Sequence, residues 1–412
     1  MDKELTKFQF WIMTTAVYFT CFVSGFADSV RGVAIPVAMT FFNADNEIYG
    51  LYVTITLFGY VIFSSLSGFL EVSIGFKWSL VIGCICCFLG SVTTIFVNDF
   101  RWILVTQSLT MAGVGTVDTV YSSLGTYLFT EHIAVYMSIM GVLYGVGGMS
   151  GSFIAGVILE HYSDYSFRGV YFFVSIILLI ISIIVSSCPF ALRFPPKIME
   201  SEQHATSKDI IKQLGKPSVW LFSLCIMMLM LVERAPVTWS NLYIQNYLHM
   251  DISIYGSLFN TVFYLIYTIS RAFSGFITEW IGYFNVLYIT ISIVIILLII
   301  GFSINEHGYW VLCSTGAFVT FFYSTMLCII VEYFKIESTV ASSVIIPLES
   351  LLLALSGYPL GILNEKIGDE WAFRSTVIFA IIAMLLVLII HYELRKKNSQ
   401  VDNTQTTLVD HV

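Results

Sequence analysis

The chain has 412 residues, of which 57% are hydrophobic and 11% are charged, and its mean hydropathy is +0.85. Soluble domains carry about 25% charged residues, so this composition excludes a soluble globular protein and indicates a chain that lies largely within a lipid bilayer. The formal net charge of −8 offers no basic surface, and we expect no nucleic-acid partner.

Apolar runs recur along the whole chain. A helix needs about 20 mainly apolar residues to cross a bilayer. The first run begins near the N-terminus, but it is too long for the core of a signal peptide and lacks a clear cleavage site. The sequence predicts roughly twelve spans, at about 10–40, 48–70, 78–97, 101–128, 134–159, 168–190, 218–247, 253–278, 284–304, 309–333, 339–364 and 372–393.

Basic residues predict the orientation. With the N-terminus in the cytoplasm, the inside segments hold most of the Lys and Arg residues, which favours cytoplasmic N- and C-termini. The basic residues left at the outside ends are Arg101, Arg168, Lys366 and Arg374.

The second half of the chain repeats features of the first at an offset of 206 residues, half of 412. The related segments are Ser150-Gly151 with Ser356-Gly357 (356 − 150), Phe167-Arg168 with Phe373-Arg374 (374 − 168) and, nearly so, Gly68 and Gly75 with Gly275 and Gly282. Such repeats are typical of transporters whose halves rock around a central site. We therefore expect an all-α integral membrane protein of two six-helix bundles, 1–190 and 218–396, with a cytoplasmic linker 191–217 and a disordered cytoplasmic tail 397–412.

Span 1 carries two ionisable residues, and such groups at membrane depth are costly and mark functional sites. Asp28 and Arg31 are spaced i, i+3, which places them on one helix face where they can neutralise each other. Two interpretations stay open. Asp28 couples transport to a proton or another cation, with Arg31 near the substrate, or the two form an internal ion pair that only holds the helix.

Span 4 carries Asp118, which has no charged residue within one turn. Thr116, Thr119 and Tyr121 offer hydroxyl groups beside it. A carboxyl group isolated in apolar surroundings favours its protonated form, as a proton-coupled carrier requires. The alternative is a hydrogen-bonded structural aspartate.

Span 7 carries Glu233 and Arg234, which lie about 100° apart on a helix, so both cannot face a cavity equally. Under the repeat, Arg234 takes the place of Asp28 (234 − 28). Pro236 follows and is expected to kink this helix. We predict that Glu233 and Arg234 contribute to substrate binding.

Aromatic residues follow at the end of span 7. Trp239 and Tyr243 are spaced i, i+4 and share one face, where they can form a platform for the apolar face of a sugar or pack between helices. Asn241 is a weaker candidate contact, because it is two positions from Trp239 on another face.

Spans 8 and 11 carry Arg271 and Glu349 at similar predicted depths. We predict that they pair across the second bundle, as a gate or as a static ion pair. If Arg271 is instead unpaired in the cavity, it can bind an anionic substrate.

The sequence shows no nucleotide-binding loop, zinc signature or nucleophile elbow. The cysteines fall in or at the ends of apolar runs without metal-ligand spacing, which is typical of packing residues. We expect no enzymatic activity, no cofactor and no metal.

Loop residues carry a family resemblance. Gly275, Glu279 and Gly282 match the acidic loop signature of the major facilitator superfamily, although Tyr283 and Phe284 replace its usual basic residues. In the first half, Glu71 stands one place early and Val72 occupies the usual acidic position. The resemblance implies the fold of that superfamily and a monomer.

A narrower resemblance is to the fucose permease-like branch and its fungal relatives. It implies that Asp28 and Asp118 both serve in proton coupling. The segments that carry it are Gly113-x-Gly115-x2-Asp118, Gly141-Val-Leu-Tyr144-Gly145-Val-Gly147, Glu233 with Trp239 and Tyr243, and Ser270-Arg271-x3-Gly275. Ser122 and Ser152 depart from the usual Asn and Pro of that branch.

Together these features predict a multi-pass membrane transporter that moves a small polar solute, a sugar, by proton-coupled alternating access. One alternative is an organic-anion carrier that uses Arg31, Arg234 and Arg271; another is a receptor on this fold that does not transport. Substrate identity, coupling ion, direction and membrane stay open.

Overall fold

The computed structural model describes residues 7–128, 133–161, 166–187 and 207–409, and this part of the chain is almost entirely helical. Eleven of its helices are long and apolar enough to cross a membrane. Phe100–Leu128 is a further helix that falls outside those eleven. The predicted all-α, multi-pass membrane fold is confirmed.

The first half forms six long helices. They are α1 (Lys7–Phe42), α2 (Asn46–Glu71), α3 (Ser73–Thr94), α4 (Phe100–Leu128), α5 (Ile133–His161) and α6 (Ser166–Ser187). Helices α2 and α3 belong to one helical run that breaks at Gly75, whose φ of 85° favours glycine. We call these six helices the N-terminal bundle.

The second half forms the C-terminal bundle. Its helices are α7 (Pro217–Thr238), α8 (Ser257–Ile281), α9 (Tyr283–Ser303), α10 (Phe322–Phe334), α11 (Ser338–Ile367) and α12 (Thr376–Val409). A short helix Ser207–Leu214 precedes α7, and helical turns Tyr309–Ser314 and Gly316–Val319 precede α10. Between α7 and α8 the chain forms two π-helical turns, Tyr243–Tyr247 and Ile252–Gly256. Helix α7 ends two residues after Pro236, consistent with the missing backbone donor there.

The predicted tail and the predicted linker both lie partly outside the described residues. Disorder of the tail 397–412 stays a prediction: α12 extends to Val409 within the described residues, and the last three residues lie outside them. Most of the predicted linker 191–217, residues 191–206, also lies outside them.

The backbone repeats at the offset seen in the sequence. Asn43 and His249 (249 − 43 = 206) have φ of 50° and 56°, a conformation that few non-glycine residues adopt. Asp45 and Asp251 (251 − 45 = 206) then accept backbone N–H groups of the following turn. The turns after α1 and α7 are thus copies of one another.

An arginine at the start of the last helix repeats as well. The Arg168 guanidinium lies 5.8 Å from the Phe41 ring, and that of Arg374 lies 4.7 Å from the Tyr247 ring. The two arginines are 206 positions apart (374 − 168), and so are their aromatic partners (247 − 41). The two bundles therefore share details of packing beyond helix order.

Hydrogen bonds join the two bundles at one end, which we call the closed end. It holds the turns after α1 and α7, and hydrogen bonds cross between the bundles there: Asn46 N to Glu365 Oε2 (3.0 Å), Tyr49 Oη to the Thr238 carbonyl (2.6 Å) and Tyr358 Oη to Glu47 Oε1 (2.7 Å). Gly50 and Gly361 bring α2 and α11 together, since a Cβ at Gly50 would lie 2.7 Å from the Gly361 Cα.

The opposite end, which we call the open end, holds Gly68 and Gly275. A Cβ at either of these would meet nothing within 4 Å. Gly68 and Gly275 are exposed, whereas Gly50 and Gly361 at the closed end are buried.

Candidate functional site

A cavity of about 50 Å³ lies where the two bundles meet near the closed end. It is lined from the N-terminal bundle by Asp28 and Arg31 of α1 and by residues of α2, and from the C-terminal bundle by Arg234 of α7 and by residues of α11. This volume holds only a few water molecules. The cavity is therefore a narrow, charged contact zone between the bundles.

Asp28 lies at the centre of a satisfied cluster. Its side chain forms an ion pair with Arg31 of the same helix, and its second oxygen accepts a hydrogen bond of 2.8 Å from Tyr144 Oη of α5. The aspartate is 8% exposed. The local pair foreseen from the i, i+3 spacing is present, and α5 completes it.

Arg234 faces this cluster from the other bundle. Its strongest charged partner is Asp28, yet within the described ranges it makes no ion pair within 4.0 Å and no hydrogen bond. Asp28 is already engaged on both oxygens. Arg234 is thus a half-buried cation whose donors point into the cavity without protein acceptors.

Asp118 occupies a separate pocket of hydroxyl groups inside the N-terminal bundle. One carboxylate oxygen accepts a hydrogen bond of 2.5 Å from Ser24 Oγ of α1, and the other accepts one of 3.2 Å from Tyr60 Oη of α2. Within the described part of the chain, no Lys or Arg forms an ion pair with it. Helix α4 therefore presents a carboxyl group to α1 and α2 without a compensating cation.

Glu233 and Glu349 lie in the C-terminal bundle. Glu233 accepts a hydrogen bond of 3.1 Å from Tyr267 Oη, and Glu349 accepts one of 2.8 Å from Ser350 Oγ. The second oxygen of each is buried without a hydrogen-bond partner among the described residues. These carboxyl groups are therefore only half satisfied in this conformation.

Arg271 does not pair with Glu349 here. It donates to the Thr320 carbonyl (2.8 Å) and to Ser324 Oγ (3.4 Å). Thr320 lies between the helical turn that ends at Val319 and α10, which begins at Phe322. Its carbonyl can therefore accept a hydrogen bond from a side chain. A gate formed by Arg271 and Glu349 stays a prediction for another conformation.

The aromatic platform predicted at the end of α7 is divided. Trp239 lines the cavity and packs edge-on against Tyr49, with ring centroids 5.2 Å apart. Tyr243, in contrast, is 1% exposed and packs against Phe302 and Phe373. The chain between the two residues is still α-helical, since Tyr243 N donates to the Trp239 carbonyl (3.1 Å), but the two rings pack against different aromatic neighbours.

Asn241 holds the bundles together. Its side-chain amide donates to the Gly32 carbonyl of α1, and the residue is fully buried. It lies at the closed end outside the cavity lining.

The loop residues of the acidic signature lie at the open end. Gly282 ends α8 with a φ of 90°, a left-handed conformation that a side chain disfavours, and Glu279 is exposed on the last turn of the same helix. Gly275 has no neighbour within 4 Å of a Cβ.

Several partners of the site were not singled out as contacts from the sequence. Ser24, Tyr60 and Tyr144 each bind an intramembrane carboxylate, and Tyr49 and Tyr52 line the cavity. Serine and tyrosine are common in these helices, so only a knowledge of which helices touch distinguishes them. Of these residues, Tyr144 is part of the segment Gly141-Val-Leu-Tyr144-Gly145-Val-Gly147, which resembles the fucose permease-like branch.

Comparison with known sequences gives one family. Residues 17–306, well over half of the chain, match the family described as the Major Facilitator Superfamily. A search of curated proteins returns no significant match.

Solved structures of transporters share the fold over almost the whole chain. A bacterial homologue of the human lysosomal transporter Spinster, in an inward-facing and unoccupied conformation, has a TM-score of 0.77 at 13% identity, covering 95% of this chain and 98% of that one. A D-xylose–proton symporter has a TM-score of 0.74 at 13% identity, with 92% and 97% covered. The fucose–proton symporter FucP of E. coli has a TM-score of 0.63 at 15% identity, with 93% and 99% covered. At these identities the likeness concerns the fold alone.

Proposed function

The chain belongs to the Major Facilitator Superfamily, and from this premise we propose that it is a secondary active transporter that moves a small polar solute, a sugar, by proton-coupled alternating access. The two bundles, 1–190 and 218–396, would rock about the cavity between them, with 191–217 as the cytoplasmic linker. The transporter is expected to act as a monomer.

The observation that carries proton coupling is the environment of Asp118. Its oxygens meet the hydroxyls of Ser24 and Tyr60 but form no ion pair among the described residues. An ionised carboxylate at membrane depth costs several kcal/mol, and a bound proton removes that cost. Asp118 is therefore suited to load a proton in one conformation and release it in another.

Asp28 is suited to a different part of the same task. Its charge is balanced by Arg31, and Tyr144 completes its hydrogen bonds. Because the carboxylate is already compensated, we assign the proton to Asp118 and give Asp28 the role of holding Arg31 at the cavity. This division favours the static interpretation of the Asp28–Arg31 pair.

The arrangement of the two ends supports alternating access. The hydrogen bonds of Asn46, Tyr49 and Tyr358 join the bundles at the closed end, while Gly68 and Gly275 meet no neighbour at the open end. If the termini are cytoplasmic, as Lys and Arg predict, the open end faces the cytoplasm. The conformation would then be the inward-facing member of the cycle.

A sugar is proposed as the solute because Trp239 offers a ring beside charged groups in the cavity. Aromatic faces suit the C–H face of a sugar, and charged groups suit its hydroxyls. The motif resemblance to the fucose permease-like branch favours the same class. Some structural neighbours, including the D-xylose–proton and fucose–proton symporters, are named for sugars.

Uptake by the purified full chain in liposomes tests the proposal. Labelled hexoses, deoxyhexoses and monocarboxylates, including sugar acids, are offered with and without an imposed proton gradient, to the unmodified protein and to Asp118→Asn. One pH unit of gradient supports about tenfold accumulation for one proton per solute. We expect accumulation by the unmodified protein, and only equilibration by the variant.

The matched control is Glu160→Gln, the same chemical change at an exposed position near the end of α5. It should accumulate the sugar like the unmodified protein. Uptake that ignores the gradient in the unmodified protein would reject proton coupling, and gradient-driven accumulation that survives in Asp118→Asn would remove Asp118 from it.

A further inference from the structure

Resting on the proposed function, we propose that the solute carries a negative charge, and that the cavity binds a small hydroxylated carboxylate, such as an acidic sugar, through the Arg234 guanidinium. This assigns the substrate class more narrowly than a sugar in general. It follows from the Arg234 guanidinium, which meets no acceptor among the described residues, from the charge of the cavity and from its aromatic wall.

Arg234 has unused binding capacity. A guanidinium presents five N–H donors in a planar fork, and within the described ranges none of them meets a protein acceptor. Asp28 already binds Arg31 and Tyr144. Glu233 has one oxygen bound by Tyr267 and the other without a partner among the described residues, yet it makes no ion pair with Arg234 within 4.0 Å. A carboxylate ligand matches the fork with two parallel hydrogen bonds.

The charge of the cavity favours the same ligand. Its charged lining residues are Asp28, Arg31 and Arg234, one acid and two bases, so the lining carries a formal charge of +1 (2 − 1). In surroundings of low dielectric an uncompensated charge interacts far more strongly than in water. A monocarboxylate neutralises the lining, whereas a neutral sugar leaves it charged.

The wall beside Arg234 favours a hydroxylated acid over a purely apolar one. Trp239 is 4% exposed, lines the cavity, and its indole N–H makes no hydrogen bond to any described residue. A sugar-like acid can place a C–H face on a ring and a hydroxyl oxygen at the N–H. An apolar acid would leave that donor unpaired, which is costly in a dry site.

Occupancy requires the bundles to part. The cavity of about 50 Å³ is far smaller than ligand pockets, which enclose about 300–1,000 Å³. Leu231 of α7 and Leu353 of α11 narrow it from the C-terminal bundle. The ligand is therefore expected to stabilise conformations in which this contact zone is wider than here.

Ligand-induced thermal stabilisation of the purified full chain tests the inference without requiring transport. The probes are D-glucuronate and D-gluconate, their uncharged counterparts D-glucose and D-glucitol, and acetate, all at equal concentration and ionic strength. A ligand that binds only the folded state raises its stability by RT ln(1 + L/Kd), where L is the free ligand concentration. We expect stabilisation by at least one sugar acid, and none by its uncharged counterpart or by acetate.

The variant Arg234→Gln should weaken that binding about tenfold or more, since charge-assisted hydrogen bonds are lost. Arg101→Gln, which removes a basic group from an exposed position at the start of α4, is the matched control and should bind normally. If Arg234→Gln does not fold, the comparison of each acid with its uncharged counterpart on the unmodified protein still decides the matter.

Equal stabilisation by D-glucose and D-glucuronate would overturn the inference and leave sugar transport standing. Equal stabilisation by acetate would overturn the hydroxylated class, because charge alone would then suffice. Absence of any stabilisation by the sugar acids would also overturn it, while the proton-driven uptake experiment would still report on transport.

Discussion

The N-terminal and C-terminal bundles share a backbone plan but differ where their central helices meet. In the N-terminal bundle, α1 and α5 are in backbone contact: a Cβ at Gly25 would lie 1.9 Å from the Tyr144 carbonyl oxygen, and one at Gly147 would lie 1.9 Å from that of Phe22. The residues 206 positions later are Leu231 and Leu353. Both line the cavity, and α7 and α11 pack less closely than α1 and α5.

The treatment of charge differs in parallel. Asp28 and Asp118 have hydrogen bonds to both oxygens, whereas Glu233 and Glu349 each leave one oxygen unpartnered within the described ranges. In this conformation both of these aspartates of the tightly packed half are fully hydrogen-bonded, and the two glutamates of the looser half are not. The difference teaches that the repeat supplies the framework, and that departures from it create the space and unmet polar groups a solute can use.

The largest loss of stability is expected when Gly25 is replaced by leucine, the residue that stands 206 positions later, at Leu231. Gly25→Leu forces a side chain against a backbone carbonyl, which cannot move away as a flexible side chain can. We expect a loss above about 3 kcal/mol, at the upper limit of overpacking, and no monodisperse protein by size-exclusion chromatography. Gly275→Leu, with no neighbour within 4 Å, is the control; equal behaviour of the two variants would contradict backbone contact between α1 and α5.

Removing Arg31 should have the next largest effect. Arg31→Gln leaves the Asp28 carboxylate, which is 8% exposed, with Tyr144 as its remaining hydrogen-bond donor. Breaking a buried pair from one side costs about 3–5 kcal/mol. Thermal unfolding of the purified protein measures the loss, and Asp28→Asn combined with Arg31→Gln should recover much of it. If the double variant is no more stable than Arg31→Gln, the unpaired Asp28 carboxylate is not the cause of the lost stability.

The corresponding change in the looser bundle should cost little. Glu349→Gln removes a carboxylate of which one oxygen has no described partner, so we expect stability within about 1 kcal/mol of the unmodified protein. The same unfolding measurement applies, with Glu160→Gln at an exposed site as the reference. A loss as large as that of Arg31→Gln would mean that the C-terminal bundle depends on its charges as much as the N-terminal bundle does.

The smallest effect on stability is expected where the short helix Ser207–Leu214 and the residues after it contact the C-terminal bundle. Lys216 and Gln213 donate to Glu337 before α11, and these hydrogen bonds hold the pKa of Glu337 below its ordinary value. A lowered folded-state pKa adds stability above the ordinary value, and that stability is lost as the pH falls through the folded value. Glu337→Gln should therefore lower the thermal midpoint slightly at neutral pH and not at acidic pH. If Glu337→Gln lowers the thermal midpoint by the same amount at neutral and at acidic pH, the loss of stability does not come from the ion pair with Lys216.

Local relations in the chain were predictable from the sequence. The apolar runs required helices, the offset of 206 residues required two similar halves, and the i, i+3 spacing of Asp28 and Arg31 placed them on one face. Gly75 and Gly282 were recognisable as repeated loop glycines, but their positive φ became known only from the structure. Each of the predicted relations depends on residues within a few turns or on a simple periodicity, which a sequence displays directly.

Contacts between distant segments were decided only by the tertiary structure. Tyr144 reaches Asp28 across 116 positions and Ser24 reaches Asp118 across 94, while Arg271 finds a carbonyl instead of Glu349. The close approach of α1 and α5 at Gly25 and Gly147 brings Tyr144 beside α1, which makes the first of these contacts possible. The sequence alone determined which charged groups enter the membrane; the packing of the helices determined which of them are satisfied, because the partners of a buried charge come from whichever helix lies beside it.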